Sequence, residues 1–171
     1  MAVALILIVI FFVGLLLFFR LYEPLPYLVK GVEAGLPVPQ IDPHGLALLL
    51  ETESANAPLI FDVRTEDEYA MSHLQGAIRA DKSMSEKKFI AVFGGQLQDR
   101  DLIFYCAVGY ASSRFIQKVG NACQQQGARA VKNLRGGIFT WYNEERPLFN
   151  LLGYTNDVHP YGKMWRFLLR K

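Results

Sequence analysis

Cysteine is scarce in this 171-residue chain, and histidine nearly so. The two cysteines, Cys106 and Cys123, form no C-x-x-C pair, and His44, His73 and His159 are scattered. That excludes a recognisable zinc spacing and a disulfide-stapled scaffold, and no metal or cofactor is expected. A Cys106–Cys123 disulfide stays open on sequence grounds, free thiols in a reducing compartment being the simpler expectation. Charge of one sign is also lacking: 18 Lys and Arg against 16 Asp and Glu leave a net +2, which argues against a nucleic-acid partner. Internal repeats and low-complexity segments are absent, so solenoid architectures are excluded. The length allows one ordinary domain plus an appendage.

One stretch lacks charge and polar side chains altogether. Residues 2–19 read AVALILIVIFFVGLLLFF. As a helix they span roughly 27 Å, close to the hydrocarbon thickness of a bilayer. No Lys or Arg precedes the run and FFRLYEP offers no A-x-A-like cleavage site, which favours an uncleaved anchor over a removed signal peptide. Residues 1–22 are therefore expected to form one N-terminal transmembrane helix, with residues 2–19 in the lipid bilayer. Arg20 and Lys30 follow the span and only the α-amino group precedes it. The positive-inside rule then makes this a single-pass membrane protein with its C-terminal domain in the cytoplasm.

Residues 23–40 carry four prolines, Pro24, Pro26, Pro37 and Pro39, together with glycines, and read as a linker. The globular part is expected over residues 41–150. Asp42 is placed to cap a helix with Pro43 in its first turn, and LIFD is a short buried strand. Thr65 and Glu68 have the spacing of a capping box. Short strands follow in QGAIRA, DLIFYC and RAVKNL, and helices in SMSEKKFIAVFG, SSRFIQKVGNACQQQG and IFTWYNEE. Such alternation means crossover units and a mostly parallel sheet covered on both faces, with ligands beyond the carboxyl ends of the strands.

Cys106 ends the strand DLIFYC and stands before a helix, at the place where such a sheet puts its chemistry. Unsatisfied N–H groups at a helix N-terminus, and the positive end of its dipole, favour negative charge on a sulfur held there. Gly109 lets the loop take a positive φ, so that successive amides can turn inward as an anion-binding nest. A sulfur so held can attack sulfane sulfur and carry it as a persulfide. On position alone, an inert buried cysteine is an equally good reading.

LIFDVRTEDEYAMSHLQGAI resembles the first signature of the rhodanese-like (sulfurtransferase) domain, through Asp62, Arg64, Glu66, Glu68, Tyr69, His73, Gly76 and Ala77. FYCAVGYASS resembles its active-site loop and NLRGGIFTWYNEERPL its closing glycine turn and helix. The resemblance implies a three-layer α/β/α fold with a mostly parallel central sheet. It makes Cys106 the persulfide carrier and Ala107, Val108, Gly109, Tyr110, Ala111 and Ser112 the anion-binding loop, with Asp62, Arg64 and Arg114 as possible supporting residues. Many single-domain members read C-x-x-G-x-R, with arginine where this chain has Ala111. Its loss bears on anionic donors such as thiosulfate more than on the backbone cradle, so weak thiosulfate use is expected. The fold is also similar to that of cell-cycle dual-specificity phosphatases, whose loop ends in arginine at the sixth position after cysteine. Ser112 stands there and cannot clamp a phosphoryl group.

Two functions follow from the resemblance. One is a membrane-anchored sulfurtransferase, of the thiosulfate sulfurtransferase type, that takes sulfur from thiosulfate or a persulfide and passes it to a thiol or protein acceptor. The other is a catalytically inactive interaction or sensing module. Asp62 and Arg64 read as a strand-end fold determinant, His73 as a structural hydrogen-bonder, Cys123 as packing, and Trp141 and Tyr142 as core and surface. The basic aromatic tail, residues 151–171, either lies on anionic headgroups or packs back on the domain.

Overall fold

The computed structural model describes residues 6–14, 23–51 and 57–170. Residues 6–14 are helical (α1) and exposed along an apolar surface that includes Phe11 and Phe12. The rest of the expected 2–19 span lies outside the described residues. Among those described, no helix is long and apolar enough to cross a membrane.

Five parallel strands form the central sheet in the order β1-β5-β4-β2-β3. They are β1 (Gln40–Ile41), β2 (Leu59–Asp62), β3 (Ile78–Arg79), β4 (Asp101–Tyr105) and β5 (Ala130–Leu134). The apolar runs LIFD and DLIFY supply its middle, as expected of strands buried on both faces. Their register sets Phe61 beside Phe104 and Asp62 beside Tyr105.

Alternation along β2 and β4 sorts the two cores. Phe61, Leu102 and Phe104 face α5 (Glu86–Phe93) and α6 (Tyr110–Gln125), where Phe89, Phe93, Phe115 and Val119 meet them. Phe61 and Phe104 stack at 5.0 Å, with Phe89 and Phe115 packed around them. Each fully buried phenylalanine contributes about 1.5–3 kcal/mol of hydrophobic stabilisation. Ile60, Ile103 and Tyr105 point the other way, toward α2 (Pro24–Gly35), α3 (Pro43–Glu51) and α7 (Gly137–Asn143).

α2 corrects the expected linker. Pro24 and Pro26 lie in the first turn, where no intrahelical N–H bond is lost, and Pro37 and Pro39 fall beyond the C-terminus. The helix PLPYLVKGVEAG carries the apolar spacing that buries Leu25 and Val29 against the sheet. Counting prolines without their positions hid the helix. The cap expectations hold: the Gly45 amide donates to Asp42 at 2.7 Å, and α4 (Glu66–Met71) opens on a Thr65–Glu68 capping box.

The chain beyond α7 is folded onto the domain. β6 (Leu148–Asn150) and β7 (Gly153–Thr155) form an antiparallel hairpin, and Lys163–Leu168 make a 3₁₀ segment. Leu168 is buried in the α2/α7 core, with Trp165 and Leu169 packed against it. Of the two readings of the tail, the packed one describes these residues.

Candidate active site

β4 delivers Cys106 to the carboxyl edge of the sheet, and strand alternation points it to the Phe104 side. The backbone then reverses through Ala107 and Val108 to Gly109, whose φ of +94° caps α6. In that conformation the Gly109 amide donates to the Cys106 sulfur at 3.2 Å. The helix therefore starts at Tyr110, two residues before the Ser112 expected from sequence, and its first-turn amides face the end of β4.

A second turn braces the loop from behind. The Ile138 amide donates to the Cys106 carbonyl at 2.9 Å, and the Phe139 amide to the Ala107 carbonyl at 3.0 Å. Both come from the start of α7, so the RGG turn and the cysteine loop are locked together by backbone alone. Ser112, fully buried, donates to Asn133 Oδ1 at 2.6 Å, and Asn133 Nδ2 donates to Gln40 Oε1 at 2.8 Å. This polar chain ties α6 to β5 and β1 beneath the loop.

Asp62 and Arg64 form a buried ion pair, with Arg64 Nη2 2.6 Å from Asp62 Oδ2 and 2.6 Å from the Ser72 carbonyl. Burial works against the guanidinium charge, but the Asp62 carboxylate outweighs it and holds Arg64 protonated more firmly than usual. Arg64 also lies 5.6 Å over the Tyr105 ring, whose phenol is pushed well up by burial and by Asp62. Arg64 Nη1 and Glu68 Oε1 are buried without a protein partner.

Around the sulfur lies a cavity of about 110 Å³. Cys106, Ala107, Val108, Tyr110 and Ala111 line it with Arg64. Gly109 acts from beneath through its amide, Ser112 faces Asn133, and Asp62 reaches the cavity through Arg64. Arg114 is not brought to it: the side chain is exposed and points to the Tyr110 hydroxyl. Sequence reasoning missed Val63, Glu68, Lys82, Tyr161 and Trp165 in the lining. Asn133, a polar side chain inside a strand, carried a readable signal; the tail residues carried none. A larger groove of about 760 Å³ runs between α2, α7 and the C-terminal segment, but neither cysteine nor histidine lines it.

The remaining marked residues are structural. His73 stacks on Tyr69 at 4.1 Å and shares a hydrogen bond with the Tyr69 carbonyl through Nδ1 at 2.9 Å. Cys123 is fully buried against β4 and β5, both cysteines are free thiols, and Trp141 is core with its indole N–H on the Pro147 carbonyl.

Residues 43–144 match the rhodanese-like domain family. The chain belongs to that family. A sulfurtransferase from Allochromatium vinosum is 30% identical over 115 residues, covering 65% of this chain and 94% of that protein. The solved rhodanese-like domain from Anabaena sp. is 26% identical with a TM-score of 0.51, over 67% of this chain and 81% of that one. Thiosulfate sulfurtransferase from Pseudomonas aeruginosa shares the fold, with a TM-score of 0.58 at 22% identity, over 84% of this chain and 26% of that one. The rhodanese-like α/β fold and its mostly parallel sheet are thus shown, and the family match ends before the hairpin and the 3₁₀ segment.

Proposed function

We propose that this rhodanese-like protein is a membrane-anchored sulfurtransferase that carries sulfane sulfur as a persulfide on Cys106. The observation that carries the reading is the Gly109 amide, directed at the Cys106 sulfur at the N-terminus of α6. Amides and a helix terminus stabilise negative charge there without a side-chain cation. The Cys106 thiolate attacks the outer sulfur of a donor, the donor's S–S bond breaks with its electron pair leaving on the remainder, and a thiol or protein acceptor later removes the sulfur. Ala111 in place of the loop arginine makes thiosulfate a poor donor and a persulfide the better one.

The test is direct. The protein is incubated with thiosulfate and with a persulfide donor, then weighed intact beside Cys106→Ser. A Cys106-dependent gain of one sulfur atom is expected, larger with the persulfide. No gain with any donor overturns the enzyme and leaves the second reading, an interaction or sensing module, which Ala111 favours.

Anchoring rests on the uncharged run of residues 2–19, and the cytoplasmic placement of the domain rests on Arg20 and Lys30 following it. Impermeant labelling of cysteines introduced on the domain surface tests the placement. Protection in intact cells with labelling after lysis is expected, and ready labelling in intact cells overturns the orientation.

A further inference from the structure

We propose that the C-terminal segment is part of the donor site: Tyr161 and Trp165 form an apolar outer wall to the Cys106 cavity and Lys82 supplies its cation. Together they select sulfane-sulfur donors with an apolar body and a single negative charge. This rests on the sulfurtransferase reading and names the substrate class for it.

The wall comes from outside residues 43–144, which match the family. Tyr161 and Trp165 line the cavity that holds Cys106, their rings meeting edge to face at 5.8 Å. The segment turns at Tyr161 and is held to the domain beyond Trp165. On one side the Gly162 amide donates to the Pro160 carbonyl in a turn centred on Tyr161, which takes a φ of +63°. A non-glycine residue held there costs of order 1–3 kcal/mol, which the surrounding contacts must offset. On the other side Leu168 is buried, Asn143 donates to its carbonyl at 2.8 Å, and the Arg170 amide donates to Asn143 Oδ1 at 3.0 Å. Arg170 also pairs with Glu23 at the start of α2.

Charge in the cavity points to the same class. Asp62 occupies one side of the Arg64 guanidinium, and the Glu68 carboxyl shares the lining. Lys82 is therefore the lining cation that no carboxylate is bonded to among the described contacts. Its loop is held by Lys118, which donates to the Lys82 and Met84 carbonyls at 3.1 and 3.2 Å. One cation free of a bonded carboxylate, beside a carboxyl and two aromatic rings, fits one negative charge on an apolar body better than the compact dianion of thiosulfate. For a thiosulfonate, R–SO2–S⁻, the Cys106 thiolate attacks the terminal sulfur. The bond between the two donor sulfurs breaks, its electron pair leaves with the sulfinate R–SO2⁻, and Cys106–S–S⁻ remains, with total charge conserved.

The full-length chain is tested with p-toluenethiosulfonate and thiosulfate, measuring initial rates of Cys106 loading. Trp165→Ala is expected to raise KM for the thiosulfonate about tenfold, the scale of lost apolar contacts in a pocket, while thiosulfate changes far less. Trp165→Phe should restore most of the preference. Lys82→Gln should weaken both donors. The exposed Tyr161→Ala, which leaves the core intact, should shift the preference in the same direction as Trp165→Ala. Alkylation of Cys106 by iodoacetamide should accelerate severalfold in Trp165→Ala and stay slow in Trp165→Phe. Loading that persists with an unchanged donor ratio in both alanine variants overturns the proposal and leaves the sulfurtransferase reading standing. Failure of every donor to load the wild-type chain overturns that reading and the donor selection together.

Discussion

Gly137 leans on the backbone of Cys106: a β-carbon placed on Gly137 falls 2.2 Å from the Cys106 carbonyl oxygen and 2.6 Å from that of Ala107. Its φ of +58° is also a conformation that side chains resist. The closeness lets α7 donate two amides to the cysteine loop. Gly137→Ala should therefore lose about 2–5 kcal/mol in urea unfolding, from strain and overpacking together, and loading of Cys106 should fall with it. Gly31→Ala, in α2 with open space around it, is the control and should be neutral or slightly stabilising. Equal stability of the two variants would rule out the brace.

The Asp62–Arg64 pair sits at the end of β2 with side-chain exposures of 0% and 2%, too dry for either charge to stand alone. Asp62→Ala should cost about 3–5 kcal/mol, because the guanidinium is left buried and uncompensated. Replacing both residues with apolar ones of similar size should cost less than Asp62→Ala alone. A double-mutant cycle in urea checks this, and additive losses would show that the pair is not coupled.

The alternation of short apolar strands with helices was enough to write the parallel sheet, because strands buried on both faces show as unbroken apolar runs. Cys106 and its loop were legible for the same reason: β4 ends abruptly and a glycine follows. α2 was hidden since proline and glycine counts say nothing of where in a helix they fall, and Pro24 and Pro26 sit where proline does no harm. β1 and the β6–β7 hairpin were too short to leave a period. Lys82, Tyr161 and Trp165 reach the cavity through contacts that span the chain. Nothing local to KMWRFLL says which side chain turns toward a cysteine some sixty residues earlier.

Ala111 lines the cavity one helical residue beyond Tyr110. Ala111→Arg should therefore place a guanidinium beside Cys106. A charge-assisted contact of about 1.5–3 kcal/mol corresponds to a gain in kcat/KM for thiosulfate of roughly 10- to 150-fold. The gain should appear mostly in KM and should shrink as salt is raised. If thiosulfate kinetics do not move while Cys106 still loads from a persulfide, donor charge is read elsewhere in the cavity.

Cys123 offers a test of the core by pH. Burial pushes its thiol up to about 12, whereas in the unfolded chain it titrates near ~8.5. Above that lower value the unfolded state gives up a proton that the folded state keeps, so this contribution to stability is complete below about pH 8.5 and declines as the pH rises toward 12. Tyr105, pushed well up by the same burial, adds its own loss above about pH 10. Cys123→Ala should cost roughly 1–2 kcal/mol at pH 7 through lost contacts, yet lose less than the wild type between pH 8.5 and 10. Urea midpoints measured across that range under reducing conditions check it. Parallel curves for the two proteins would mean that the Cys123 proton is not what the alkaline limb reports.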